Sequence, residues 1–73
     1  MKVTVCVQFK IDTDIVVDVP DGTDLNSVTD EHWEELAYEN RDEYADRLYS
    51  ETFEARVTQV ESGDFTKRFD EGA

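Results

Sequence analysis

The chain has 73 residues, enough for one domain near the lower size limit at which a single hydrophobic core suffices. Nineteen acidic residues against seven basic ones give a net charge of −12, which repels nucleic acid, phosphate ligands and anionic membranes and favours basic protein surfaces as partners. A single cysteine, Cys6, excludes an intrachain disulfide, and with one histidine, His32, the thiolate and imidazole set of a structural zinc site is missing too.

From Val3 the apolar residues fall on odd positions, Val3, Val5, Val7, Phe9 and Ile11, with Thr4, Cys6, Gln8 and Lys10 between them. This period of two, rich in β-branched residues, predicts a half-buried strand. Ile15, Val17 and Val19 keep the odd phase against Val16 and Asp18, so a second strand and a hairpin follow. Paired residues of an antiparallel hairpin share a face, and odd against odd requires a loop of odd length. Asp12-Thr13-Asp14 supplies a three-residue loop that sets Ile11 opposite Ile15, Phe9 opposite Val17 and Val7 opposite Val19.

Pro20-Asp21-Gly22-Thr23 reads as a turn, with φ preset by proline and freedom supplied by glycine. A helix is expected next, capped by Ser27 or Thr29, with Asp30 and Glu31 where the helix dipole favours acids. At about 100° per residue, Trp33, Leu36, Ala37, Tyr44 and Leu48 share one sector. Glu31, Glu35, Glu39, Asp42 and Asp46 fill the opposite sector, flanked by Glu34 and Glu43. The pattern predicts one helix to about Ser50, bent near Asn40; the alternative is a second helix opened by a capping box of Asn40 and Glu43. Phe53, Ala55 and Val57 then alternate with Glu54, Arg56 and Thr58, and Val60 falls out of phase. That predicts a third strand with a bulge near Gln59. Ser62-Gly63-Asp64 is a turn, Phe65–Phe69 a short fourth strand, and 70–73 a frayed tail.

The fold expected is therefore α+β, one small domain over residues 1–73, with element order β-β-α-β(-β). The helix covers one face of a small antiparallel sheet, packing Trp33, Leu36, Tyr44 and Leu48 on Val5, Val7, Phe9, Val17 and Val57. The other face, with Thr4, Cys6, Gln8, Val16 and Asp18, meets water or a partner. Eight aromatics and this periodicity argue against the disorder that so high a charge otherwise favours.

Residues 28–54 hold ten acids and two arginines, a net of −8 out of −12. Like charges three and four apart, as in Glu31–Glu35, Glu35–Glu39 and Asp42–Asp46, cost a helix a few tenths of a kcal/mol each. The bland account is a solvated face; the functional one is a rod of carboxylates that presents a phosphate-like field to a basic groove. The candidate partner-binding residues are Glu31, Glu34, Glu35, Glu39, Asp42, Glu43 and Asp46, with Tyr38 and Tyr49 as anchors. The helical wheel places both tyrosines about 140–160° from Trp33, among the acids. His32 has no nucleophile at a recognisable spacing, Cys6 has no cationic setting, and Asp12-x-Asp14 lacks the glycine and glutamate of a calcium loop. No catalytic residue, metal or cofactor is expected.

The pattern of VTVCVQFKIDTDIVVDVP, then DEHWEELAYENRDEYADRLY, then ETFEARVTQV resembles small acidic proteins of phages and other mobile elements. Some of these are anti-CRISPR or anti-restriction inhibitors that act as DNA mimics. The resemblance implies a stoichiometric inhibitor of a host defence protein, in the host cytoplasm, and assigns no residue a role. The composition itself also predicts a cytosolic protein, since it offers no long apolar run, no signal-peptide pattern and a lone thiol. It is expected to act as a monomer or homodimer, without touching nucleic acid or membrane. Two other accounts stand beside this one: an assembly module working through its open sheet face or edge, and acidity that serves only solvation at high salt.

Overall fold

The structure, a computed structural model, describes residues 1–51 and 54–69. Its elements are β1 (Lys2–Gln8), β2 (Asp12–Asp18), a 3₁₀ turn (Leu25–Ser27), α1 (Asp30–Glu39), α2 (Glu43–Glu51), β3 (Arg56–Ser62) and β4 (Phe65–Arg68). The strands form one antiparallel sheet of order β2-β1-β3-β4, which is the α+β class read from the sequence. Val3, Val5, Val7, Ile15 and Val17 line its inner face and are at most 5% exposed. With Trp33, Ala37, Val57 and Val60 they form the core between sheet and helices.

The first hairpin keeps the expected parity and moves the loop. β1 and β2 pair from Lys2↔Asp18 to Gln8↔Asp12, so Phe9-Lys10-Ile11 is the three-residue loop and Asp12-Thr13-Asp14 belongs to β2. Val17 stands opposite Val3, not Phe9, and Ile15 opposite Val5, not Ile11. A loop centred on Thr13 would run β1 against the Pro20–Thr23 turn and leave most of β1 without a β2 partner. The observed register pairs all seven residues of each strand. Ile11 is released to the loop at 50% exposure, and the Phe9 amide donates to its carbonyl at 3.0 Å. Beyond the ladder, the Val19 amide donates to the Met1 carbonyl at 2.9 Å, and the Met1 ammonium binds Asp18 and Asp21. The Pro20–Thr23 turn closes by a 3.2 Å bond from the Thr23 amide to the Pro20 carbonyl, with Gly22 at φ +86°. That angle favours glycine.

β3 carries the expected bulge. Val7 faces Val57 and Cys6 faces Gln59, so Thr58 is the extra residue. Val57 and Val60, three apart, thereby both reach the core. Gly63, at φ +57°, opens the two-residue turn into β4, where Phe65 and then Phe69 lean on the core. Ala55 precedes β3 rather than belonging to it; Phe53 and the tail 70–73 lie outside the described residues.

Thr29 caps α1, its side chain accepting from the His32 amide at 3.2 Å. Ser27 instead ends the 3₁₀ turn, which Asp24 caps and which buries Leu25, a core residue the periodicity missed. Val28 just before the cap and Trp33 at the fourth helical position both join the core, in the arrangement of a hydrophobic staple. The single bent helix of the sequence reading is two helices. Asn40 closes α1, its amide and side chain both donating to the Leu36 carbonyl, at 3.1 and 2.8 Å. α2 is opened by Asp42, not by the expected Asn40, through a 2.8 Å bond from the Ala45 amide to the Asp42 carboxylate. The break resets the helical phase: Ala45 enters the core at 2% exposure, and Tyr44, assigned to the apolar sector, is 51% exposed.

Candidate acidic interface

On α1, Glu31, Glu35 and Glu39 follow one another at four-residue spacing and are all exposed. Four residues is about one helical turn, so they share a side. Glu34 lies between that side and the core; partial burial, then the charges of Asp30 and Glu31, push its carboxyl above the ordinary range. Asp42, Glu43 and Asp46 are exposed at the start of α2. The break at Asn40 divides these acids between two helices, so they do not form the continuous rod expected. Among the described residues, Glu31, Glu35, Glu39 and Glu43 have no cation within 4.0 Å. Asp42 and Asp46 are committed, the first to its cap and the second to Arg41 Nε at 2.6 Å.

Arg41 organises the junction. It donates to the Tyr38 carbonyl at 2.7 Å, and its guanidinium lies 3.9 Å over the Tyr38 ring while gripping Asp46. Tyr38 is 49% exposed beside the acids, as expected. Tyr49 is not an exposed anchor. It is half-buried, edge-on to Phe9 at 4.8 Å and to Tyr38 at 5.0 Å. Its hydroxyl is buried without a hydrogen-bond partner among the described residues, and burial, then the charge of Glu34, push its pKa up. The second exposed ring of this surface is Tyr44, beside Glu43. Counting the helical phase from Asp42, an N-cap residue type, brings Ala45 inward and Tyr44 out.

The other sheet face matches its expected content. Val16 stands 55% exposed among Asp12, Asp14 and Asp18, and Cys6 is half-buried in the neighbouring strand. Burial, then the hydrogen bond and charge of Asp14, push the Cys6 thiol up to about 12. His32 is exposed in the first turn of α1. Among the described residues no three His, Cys, Asp or Glu side chains form a group able to hold a metal ion, and no helix is long and apolar enough to cross a membrane. Comparison with protein families, curated proteins and solved structures finds no match. The functional reading rests on this surface.

Proposed function

We propose that the chain is a non-enzymatic binding protein whose acidic helical surface occupies a basic, nucleic-acid-binding surface of another protein, its carboxylates standing in for phosphates. The observation that supports this best is the separation of charge. Glu31, Glu35, Glu39 and Glu43 are exposed and without a cation partner among the described residues, Arg41 is already bound to Asp46, and five of the seven basic residues lie outside residues 28–54. A surface kept for stability alone more often mixes its signs. Tyr38 and Tyr44 add exposed rings whose burial on contact contributes affinity. The resemblance to phage-borne inhibitors points to a host defence protein as the partner.

Binding of this kind depends on long-range attraction and weakens steeply with salt. The test is capture of the partner on the tagged chain at low ionic strength, followed by a salt gradient. A nucleic-acid-binding protein released by salt, displaced by DNA and lost when Glu35, Glu39 and Asp42 are changed to lysine supports mimicry. Capture that is insensitive to salt and to these changes refutes it. The uncovered sheet face, with Val16 exposed on the edge strand β2, favours a second reading as an assembly module. In that case Val16→Lys abolishes association and the helix substitutions leave it intact.

A further inference from the structure

The sheet ends in two edges of unequal kind, β2 and β4. β4 is four residues long, and its Lys67 reaches across to donate to the Asn26 carbonyl at 2.8 Å. β2 is seven residues long and pairs only with β1. The bonds that bracket the first hairpin show which β2 backbone groups face outward. The Phe9 amide donates to Ile11 and the Val19 amide to Met1, so in this register the odd residues exchange bonds. Opposed residues of an antiparallel pair alternate between bonded and non-bonded. The even residues Asp12, Asp14, Val16 and Asp18 therefore turn their amides and carbonyls to the open edge. None of these groups has a partner among the described residues.

The side chains of the same four residues lie on the uncovered sheet face, since Ile15 and Val17 between them point into the core. Val16 is 55% exposed among the three carboxylates. Asp18 is held by the Met1 ammonium at 3.2 Å and by Lys2 at 3.6 Å. Asp12 and Asp14 have no cation within 4.0 Å among the described residues.

An unpaired edge is a template for another strand, and its side chains decide which strand fits. A second copy of this chain does not. Every antiparallel register of β2 on β2 that aligns three or more of the outward residues sets aspartate against aspartate, and like charges directly opposite are destabilising. The net charge of −12 opposes such a dimer as well. We infer that β2 is a docking edge for an extended basic segment of another protein, added antiparallel, with an apolar residue opposite Val16 and lysine or arginine opposite Asp14 and Asp12. Directly opposed side chains stand about 4.5–5.5 Å apart at Cβ, close enough for the new ion pairs. Backbone bonds supply the affinity and the alternating side chains the choice of partner. This inference deepens the second reading above and rests on its open sheet, not on the acidic helices.

The test is a titration of the full chain, to about 1 mM, with a capped heptapeptide that has valine at its third position, lysine at its fifth and seventh, and threonine elsewhere. Amide hydrogen exchange reads the result residue by residue. The amides of Asp12, Asp14, Val16 and Asp18 are expected to slow by about threefold or more, while those of Ile15 and Val17, already bonded to β1, change less. N-methylation of the third and fifth peptide residues removes two donors of the new ladder and should abolish the protection. Moving the lysines to the fourth and sixth positions keeps the charge, turns it to the other face and should abolish the protection too. Unprotected β2 amides, protection that survives N-methylation, or protection confined to α1 and α2, whose acids also attract lysine, overturns the proposal. Val16→Lys that abolishes partner capture without any edge protection keeps the second reading and removes this one.

Discussion

The Asp42 carboxylate accepts the amide hydrogen of Ala45 at 2.8 Å, and that bond decides where α2 begins. Asp42→Ala removes the acceptor and is expected to cost about 1 kcal/mol, while Asp42→Asn keeps a capping oxygen and costs a few tenths. Urea denaturation of the two variants measures the difference. The pair also separates the roles of one side chain, because Asp42→Asn deletes the charge and keeps the cap. Loss of partner binding in Asp42→Asn with stability retained assigns Asp42 to the interface.

Glu31, Glu35 and Glu39 repel one another at four-residue spacing. Glu35→Lys converts two like-charge pairs into two opposite-charge pairs and is expected to raise stability by about 0.5–1 kcal/mol. Affinity for a basic partner should fall in the same variant. Urea midpoints and binding isotherms read the two effects on one protein. A gain in stability with unchanged binding would show that the repulsion serves no contact.

Cys6 holds its proton far above the usual thiol range, to about 12. The thiolate is the nucleophile, so alkylation at about pH 8 should be slow in the folded chain and fast in urea. The sign for stability follows from the raised value. Below the unfolded thiol pKa, about 8.5, both states are protonated and the contribution is intact. As pH climbs from there towards about 12, the unfolded chain ionises first and stability falls. Cys6→Ser is expected to flatten that alkaline loss, as followed by circular dichroism.

Thr58 is surplus to the ladder between β1 and β3. Deleting it leaves Val57 and Val60 on the same face of a regular strand, so the fold should survive. The deletion loses the 2.8 Å bond from the Phe69 amide to the Thr58 carbonyl, a cost of about 1 kcal/mol. Deleting Thr4 from the unbulged β1 sends Val3 to the wrong face and should unfold the chain. Thermal melts of the two deletions distinguish them directly.

Strand phase was legible because each apolar position of β1 and β2 announces its face by parity alone. Parity does not fix register, however: loops centred on Lys10 and on Thr13 both put odd residues opposite odd ones. What selects between them is the length of the ladder, since the observed register pairs all seven residues of β1 with β2 before the Pro20–Thr23 turn. The helical region failed differently. A wheel extrapolated from Trp33 through Asn40 keeps its phase only if the helix does, and three residues outside helical geometry were enough to exchange Tyr44 for Ala45. The acids suffered less, because exposed charge tolerates a phase error that a buried ring does not. Tyr49 shows the limit: its burial depends on the loop residue Phe9, forty positions away, and no local pattern carries that.

The place of β1 inside the sheet has a consequence for synthesis. β1 pairs on one side with its immediate neighbour β2 and on the other with β3, which puts Thr4 opposite Glu61. A growing chain that has not yet delivered Arg56–Ser62 owns α1, α2 and a two-stranded ribbon in place of a four-stranded sheet, and two-stranded ribbons are marginal in water. The fold is thus closed by its latest long-range pairing, a connectivity that slows the search. Until then the many aspartates and glutamates act as a solubility coat for a nascent chain whose sheet is half built.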